Sequence, residues 1–392
     1  MKKKILIACR AYYPDVGGGG ELSTKTLAEN LLKKGYDVSV LAISDKSTVE
    51  TIEHVPVTRI KNKNIYWSLD KKNKGIVRKI LWHVIDSHNV FIENKLRDKL
   101  EEISPDILIT STIEDVSSVI WKLASRKKIR VMHVLRSYSL LCSNANMFKS
   151  ENCEGQCKEC KMLTLPKKIN SKYVDDIIGI SDYILKKHLD LGYFKNSKST
   201  VIYNICLDDS IAERKIISDE VKVGYLGRIH KTKGIEIIFS AMSQLSDNVK
   251  RRCSVYVAGS GDPYYMEELR KVAKENNVTT VFTGNVNATE FLDKIDLLVV
   301  PSIWNEPFGR VVVEGMGRGV AVLGKRSGGI PELLEKNPKF IFDTAEDLSA
   351  KISDFVNETI SFDFDLSDFS TNKIINDWEC LINNNPLPEV NE

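Results

Sequence analysis

Short apolar, β-branched runs alternate along this chain with longer stretches in which apolar residues recur at helical spacing. In the first half the runs Lys4–Cys9, Asp37–Ile43, Ile107–Thr110, Arg130–Val134 and Asp176–Ile180 read as strands. Between the first two, Leu22, Leu27, Leu31 and Leu32 place a helix over Glu21–Lys34, and Gly35 stands where a helix-ending glycine is expected. The pattern restarts in the second half with strands at Val221–Leu226, Ser254–Ala258, Thr280–Phe282 and Leu297–Val300. Helices are expected at Gly234–Leu245 and Tyr264–Asn276, and a last one at Thr371–Asn383. Alternation of this kind predicts parallel α/β architecture. Two separate series predict two Rossmann-like domains: residues 1–204, residues 205–370, and a C-terminal helix and tail over 371–392.

Composition narrows the classes. Of 392 residues, 42% are apolar and 28% charged, enough to bury two cores and stay soluble. A net charge of +3 excludes a globally basic nucleic-acid binder. The apolar stretch after Lys2-Lys3-Lys4 ends at Arg10, shorter than the roughly 7–15 residues of a signal core. No run approaches the roughly 20 residues of a membrane span. A cytoplasmic protein is the expectation. One segment departs from the even charge: between Lys61 and Lys79, seven basic residues (Lys61, Lys63, Lys71, Lys72, Lys74, Arg78, Lys79) face one acid, Asp70, with Trp67 and Trp82 close by. It reads either as a solvated loop and helix or as a peripheral contact with an anionic membrane.

The chemistry concentrates where strands end. Pro301-Ser302-Ile303-Trp304-Asn305-Glu306-Pro307-Phe308-Gly309-Arg310 follows a buried strand and leads into a helix expected from about Gly309 to Arg318. A helix N-terminus beyond a strand end offers unpaired N–H groups to phosphate oxygens. Glu306 in the loop and Glu314 in the helix are carboxylates able to accept hydrogen bonds from vicinal hydroxyls, as a sugar or ribose presents. Arg228 and Lys233, in the turn Gly227–Gly234 after another strand, are fixed cations suited to a diphosphate leaving group. Each feature taken alone is equally a surface salt bridge or a solvated cation. Glycine turns at Gly259 and at Gly284-Asn285 recur at successive strand ends, and Gly328-Gly329-Ile330-Pro331-Glu332 reads as a turn into a helix. The Gly17–Gly20 loop lacks the third glycine of a dinucleotide fingerprint, because position 22 is Leu. Its glycines, Gly19 among them, suit backbone approach to donor phosphates or acceptor.

Together these residues carry a resemblance. Glu306-Pro307-Phe308-Gly309 with Glu314 eight positions on, the Gly-Arg and Lys-Gly pairs at 227–234, and Ser327–Glu332 resemble glycosyltransferase family 4. Pro14–Gly20, Gly179-Ile180-Ser181 and Ile202-Tyr203-Asn204 extend the likeness over most of the chain. The resemblance implies a GT-B fold, two Rossmann-like domains facing across a cleft, with the C-terminal helix crossing back to the first. It implies a retaining transferase that uses a UDP- or GDP-sugar donor and a glycan or glycolipid acceptor, in cell-surface polysaccharide or glycolipid synthesis, with no catalytic metal. By the same resemblance Glu306 contacts the transferred sugar and Glu314 the ribose. Arg228, Lys233, Phe308, Gly309 and Gly19 attend the diphosphate, and Gly259, Gly284 and Asn285 line the nucleotide pocket. Relatives place His-Asp before Tyr-x-Leu-Leu-Cys; here Arg136-Ser137 stands there and His133 lies three residues earlier, so His133 and Arg136 are the active-site candidates. A nucleotide-sugar epimerase or a non-catalytic binding subunit is the alternative on the same architecture.

Of eight cysteines, Cys9, Cys206, Cys253 and Cys380 are scattered, while Cys142, Cys153, Cys157 and Cys160 fall together. Cys-x3-Cys-x2-Cys after a distal Cys142 suits tetrahedral zinc, in a structural role because four thiolates leave no open position. Free thiols and a redox-dependent disulfide are the other readings.

Overall fold

The computed structural model describes residues 2–70, 74–207, 220–359 and 362–386. It divides into two compact units: Met1–Ile205 together with Ile374–Glu392, and Cys206–Lys373 between them.

Unit 1 is built on an eight-stranded sheet: β1 (Lys4–Cys9), β2 (Asp37–Ser44), β3 (Thr48–Ile52), β4 (Val55–Lys61), β5 (Ile107–Ser111), β6 (Arg130–Leu135), β7 (Asp176–Gly179) and β8 (Lys198–Val201). Their spatial order is β3-β4-β2-β1-β5-β6-β7-β8, and all pairs are parallel except β3 with β4. Central strands covered on both faces need no polar alternation. Accordingly Ile5, Leu6, Ile7, Ala8 and Cys9 are all fully buried. At the edge, β3 carries Thr48, Glu50 and Thr51 and is exposed over nearly its whole length, which blunts an otherwise open rim. The helices are α1 (Gly19–Lys33), α2 (Ile76–Ser87), α3 (Val90–Ile103), α4 (Val119–Arg126), α5 (Lys158–Asn170) and α6 (Asp182–Asp190). Gly35 takes φ 83° beyond α1, the left-handed stop expected of it. The Asn89 and Ser181 side chains cap α3 and α6 by accepting from Phe91 N and Ile184 N.

Unit 2 has a six-stranded, wholly parallel sheet of β9 (Val221–Leu226), β10 (Cys253–Ala258), β11 (Thr280–Gly284), β12 (Leu297–Val300), β13 (Ala321–Lys325) and β14 (Ile341–Phe342). The order is β11-β10-β9-β12-β13-β14, so the winding reverses between β9 and β12. Its helices are α7 (Glu236–Ser243), α8 (Asp247–Arg251), α9 (Pro263–Glu275), α10 (Ala288–Leu292), α11 (Arg310–Gly317), α12 (Ile330–Leu333) and α13 (Ala345–Val356). Pro263 opens α9 behind an Asp262 cap that accepts from Tyr264 N and Tyr265 N.

The last helix, α14 (Thr371–Ile382), starts in unit 2, and from Ile374 onward it clusters with unit 1. Within unit 1, Lys34 Nζ lies 2.9 Å from Glu379, and Arg130 Nη1 donates to the carbonyls of Leu381 and Ile382 at 3.0 and 3.2 Å. A cation on the last carbonyls complements the negative end of the helix dipole.

Candidate active site

In an open parallel sheet a ligand site forms at the carboxyl ends of the strands, where the winding reverses. In unit 2 that point lies between β9 and β12, and the two motif-bearing loops leave those strands. They are tied together by backbone. Thr232 O accepts from Ile303 N and Trp304 N, both at 3.1 Å, and from Ser302 Oγ at 3.3 Å. Gly234, at φ 62°, closes the first loop where a Cβ would stand 2.5 Å from Pro301 O. A side chain there would drive the loops apart.

This approach brings Lys233 and Glu306 into contact as an ion pair, with side chains 19% and 11% exposed. Lys233 Nζ also lies 5.1 Å from the centre of the Trp304 ring, a cation–π contact that steadies the ammonium. Arg228 is exposed, and its guanidinium makes no ion pair among the described residues. Its carbonyl is held by Tyr225 Oη at 2.7 Å.

Gly309 takes φ 108° and forms the N-cap of α11, with no side chain covering the helix end. Phe308 is 2% exposed, so its ring belongs to the core and only its backbone can serve a ligand. One turn into α11, Glu314 pairs with Arg310 at 2.9 Å. The loop Ser327–Glu332 does more than turn the chain. Gly329 N donates to Glu306 O at 2.8 Å, Gly328 N donates to Asn305 Oδ1 at 3.2 Å, and Gly328 at φ 57° leaves no room for a side chain beside Glu306. The site carboxylate therefore sits on a backbone held from two sides.

Gly259 and Gly284 end β10 and β11, joined by Gly259 N to Gly284 O at 2.7 Å, and Gly259 packs against the Gly227 backbone. Asn285 follows, exposed. These turns stand on the β10–β11 side of the reversal point.

In unit 1 the winding reverses between β1 and β5. There Arg136, just beyond β6, donates from Nε to Ser111 Oγ at 2.8 Å and from Nη1 to Asn204 Oδ1. Ser111 Oγ meets Thr24 Oγ1 of α1 at 3.1 Å. Gly19 opens α1 and is exposed, and Gly20 borders the Arg136 stem. The structure thus groups Arg136, Asn204 and the glycine loop.

His133 stands on β6 itself. It is 3% exposed on β6, and its Nδ1 lies 2.9 Å from Thr110 Oγ1, which also accepts from Trp121 Nε1 at 2.9 Å. The imidazole stacks on Phe194 at 5.8 Å and meets Trp121 edge-on at 5.0 Å. Burial, with His188 nearby, lowers its pKa to about 3, so it is neutral at physiological pH. Its surroundings are those of a packed core residue. Arg136, three residues further on, bonds Asn204 and Ser111, and its charge contributes to the lowered pKa of His133.

Cys142, Cys153, Cys157 and Cys160 line one cavity of about 50 Å³. Cys157 caps α5, and a hydrogen bond from Cys160 lowers its pKa, while burial pushes Cys160 up to about 12. None of the four is joined in a disulfide. Among the described residues no three His, Cys, Asp or Glu side chains already stand in metal-binding geometry.

In the basic segment, Lys61 and Lys63 are exposed, Lys74 pairs with Asp70 at 2.5 Å, and Arg78 and Lys79 lie exposed on α2; Lys71 and Lys72 fall outside the described residues. Trp82 is buried and stacked on Tyr66 at 5.7 Å, a core contact. Arg310, Trp304 and Asn204 are site residues to which the sequence motifs assigned no role. The four-residue spacing of Arg310 and Glu314 on a helix was the available signal for the first.

Residues 208–367 match the family model for glycosyl transferases group 1. The chain is 34% identical over 342 residues to an uncharacterised 42.6 kDa protein in the cps region of Klebsiella pneumoniae, covering 86% of this chain and 89% of that one. This chain belongs to the glycosyl transferases group 1 family. A lipopolysaccharide 1,2-N-acetylglucosaminetransferase of Salmonella typhimurium is 31% identical over 139 residues, 32% of this chain and 36% of that one. Among solved structures, HepE of Anabaena in complex with UDP superposes with a TM-score of 0.67 at 18% identity, covering 91% of this chain and 90% of that chain. The fold of this group 1 glycosyltransferase is GT-B, two units on sheets that are parallel except for the β3–β4 pair. No helix of the described residues is long and apolar enough to cross a membrane.

Proposed function

We propose that this chain is a retaining glycosyltransferase of family 4, moving a sugar from a nucleoside diphosphate to an acceptor hydroxyl. The observation that carries the reading is the Lys233–Glu306 pair set beside the open N-terminus of α11, at the reversal point of the unit 2 sheet. In the step, the bond between the anomeric carbon and the β-phosphate oxygen breaks, and its electron pair leaves with the diphosphate. The acceptor oxygen bonds to that carbon and gives up its proton to the departing phosphate oxygen. Charge growing on the diphosphate meets Arg228, Lys233 and the N–H groups at Phe308 and Gly309, so protein groups supply the stabilisation that a metal ion would otherwise give. Glu306 receives sugar hydroxyls once Lys233 turns toward phosphate, and Glu314, oriented by Arg310, receives the ribose hydroxyls. Gly259, Gly284 and Asn285 border the base. In unit 1, Arg136 and Asn204 attend the acceptor side.

HepE has been crystallised with UDP, with UDP and glucose, and with UDP-glucose, which supports a nucleotide-sugar donor; both UDP- and GDP-sugars belong in the test. The cps and lipopolysaccharide relatives support a glycan or glycolipid acceptor in cell-surface polysaccharide synthesis. A cytoplasmic enzyme in peripheral contact with an anionic membrane completes the reading. Calorimetric titration with a panel of UDP- and GDP-sugars tests it. One donor should bind, and Glu314→Ala should weaken that binding about tenfold, the loss of one paired hydrogen-bonding group. Unchanged affinity in the variant would remove Glu314 from the site.

We also propose a structural zinc at Cys142, Cys153, Cys157 and Cys160, supported by their convergence on one cavity. Ligation requires the thiols to swing onto a common centre and lose their protons. Elemental analysis of the purified protein should find one zinc per chain, and a metal-free protein of unchanged stability would contradict it.

A further inference from the structure

We propose that the exposed faces of α2 and α5 form a docking surface for an anionic lipid bilayer. The surface gives the peripheral contact proposed above a location, and vesicle binding tests it separately from donor binding by unit 2.

A solvated helix face ordinarily carries charge. On α2 the exposed face instead carries Ile76, Val77, Ile80, Leu81 and Val84, between 44% and 75% exposed. Their spacing of i, i+1, i+4, i+5 and i+8 places all five in one stripe. The opposite side of the helix is already in use: Trp82 and Asp86 are buried, and Asp86 pairs with Lys167 of α5 at 2.7 Å. Hence the outer stripe is surplus to the packing of unit 1.

The neighbouring helix repeats the arrangement. On α5, Met162, Leu165 and Ile169 are 70%, 50% and 53% exposed at i, i+3 and i+7. The two helices are fastened side by side by the Asp86–Lys167 pair, by Ser87 Oγ donating to Leu163 O, and by Asn170 Nδ2 with His88 Nδ1 at 3.3 Å. Scattered exposed apolar residues need no explanation, but two adjacent stripes form a patch of the kind that marks an interaction surface.

Charge selects the occupant. Arg78 and Lys79 on α2, and Lys158 and Lys161 on α5, are exposed and make no ion pair among the described residues. Glu159 is the single exposed acid on the two helices. Apolar side chains bordered by unpaired cations match a layer with anionic headgroups over acyl chains. A second copy of the same surface would set these cations against one another. At 12 residues α2 is about 18 Å long, so it would lie in the interface without spanning it.

Flotation with vesicles of phosphatidylcholine and phosphatidylglycerol decides the matter. The full chain should float with mixed vesicles and much less with phosphatidylcholine alone, and added salt should release it in part. Ile80→Asp with Leu81→Asp should lower vesicle affinity about tenfold or more, with circular dichroism and donor titration unchanged. Arg78→Glu with Lys79→Glu should abolish the preference for anionic vesicles. Three results overturn the proposal: a chain that binds donor yet stays unbound by anionic vesicles at low salt, vesicle binding unaltered in both variants, or a dimer in light scattering that Ile80→Asp disperses without any vesicle binding.

Discussion

Replacing Glu306 by alanine is expected to lower kcat by about 10²–10³-fold while the dissociation constant for the donor moves by less than about tenfold. The split follows from where the carboxylate stands. Glu306 sits on a backbone held by Thr232 on one side of its loop and by Gly328 and Gly329 on the other. Its partner in the free protein is Lys233, not a structural neighbour. A carboxylate so fixed is suited to gripping sugar hydroxyls as the anomeric carbon turns cationic, an interaction stronger in the transition state than in the bound donor. The nucleotide, held by other groups, should bind almost as before. Single-turnover rates alongside a donor titration read the two quantities apart. Full turnover in the variant would remove Glu306 from the reacting centre.

Lys233→Ala should do the reverse in the first instance, weakening donor and nucleoside diphosphate by about 10–100-fold through loss of a charge-assisted contact to phosphate. It should also carry a stability cost. Both partners are largely shielded from water, so removing the cation strands the Glu306 carboxylate, at a cost of about 1–3 kcal/mol. Adding Glu306→Ala to Lys233→Ala should recover most of that stability and none of the activity. Denaturant unfolding of the two single variants and the double variant measures the coupling directly. Stability changes that simply add would mean the two side chains do not depend on each other, and the bridge between the β9 and β12 loops would lose its energetic meaning.

Most parallel strands covered on both faces were legible, since a run such as Leu297–Val300 then has no polar position to interrupt it; β13 escaped although it is as deeply buried. The β3–β4 hairpin and β8 escaped because Thr48–Ile52 and Lys198–Val201 are exposed and polar at the two edges, and β14 because two residues carry no periodicity. The phosphate-facing loops were visible as glycine and cation turns after strands. Their meeting was not, because 73 residues separate Lys233 from Glu306 and only the β9–β12 neighbourhood joins them. The setting of His133 was hidden for a related reason: on a strand buried along both faces, alternation no longer tells which side chains reach a ligand, and the imidazole packs against Trp121 and Phe194. The cysteine spacing foretold a cluster, and the cavity confirms their proximity, but spacing carries no information on how the sulfurs point.

The most direct test follows the sugar itself. Purified protein would be incubated with UDP- and GDP-sugars labelled in the hexose, with and without a candidate glycolipid, and the label traced by chromatography. Nucleoside diphosphate should be released in step with label on the acceptor, or on water when no acceptor is present, with the anomeric configuration of the donor kept in the glycoside. Donor recovered intact from every incubation, or label returned as an epimer still joined to its nucleotide, would contradict the proposed transfer.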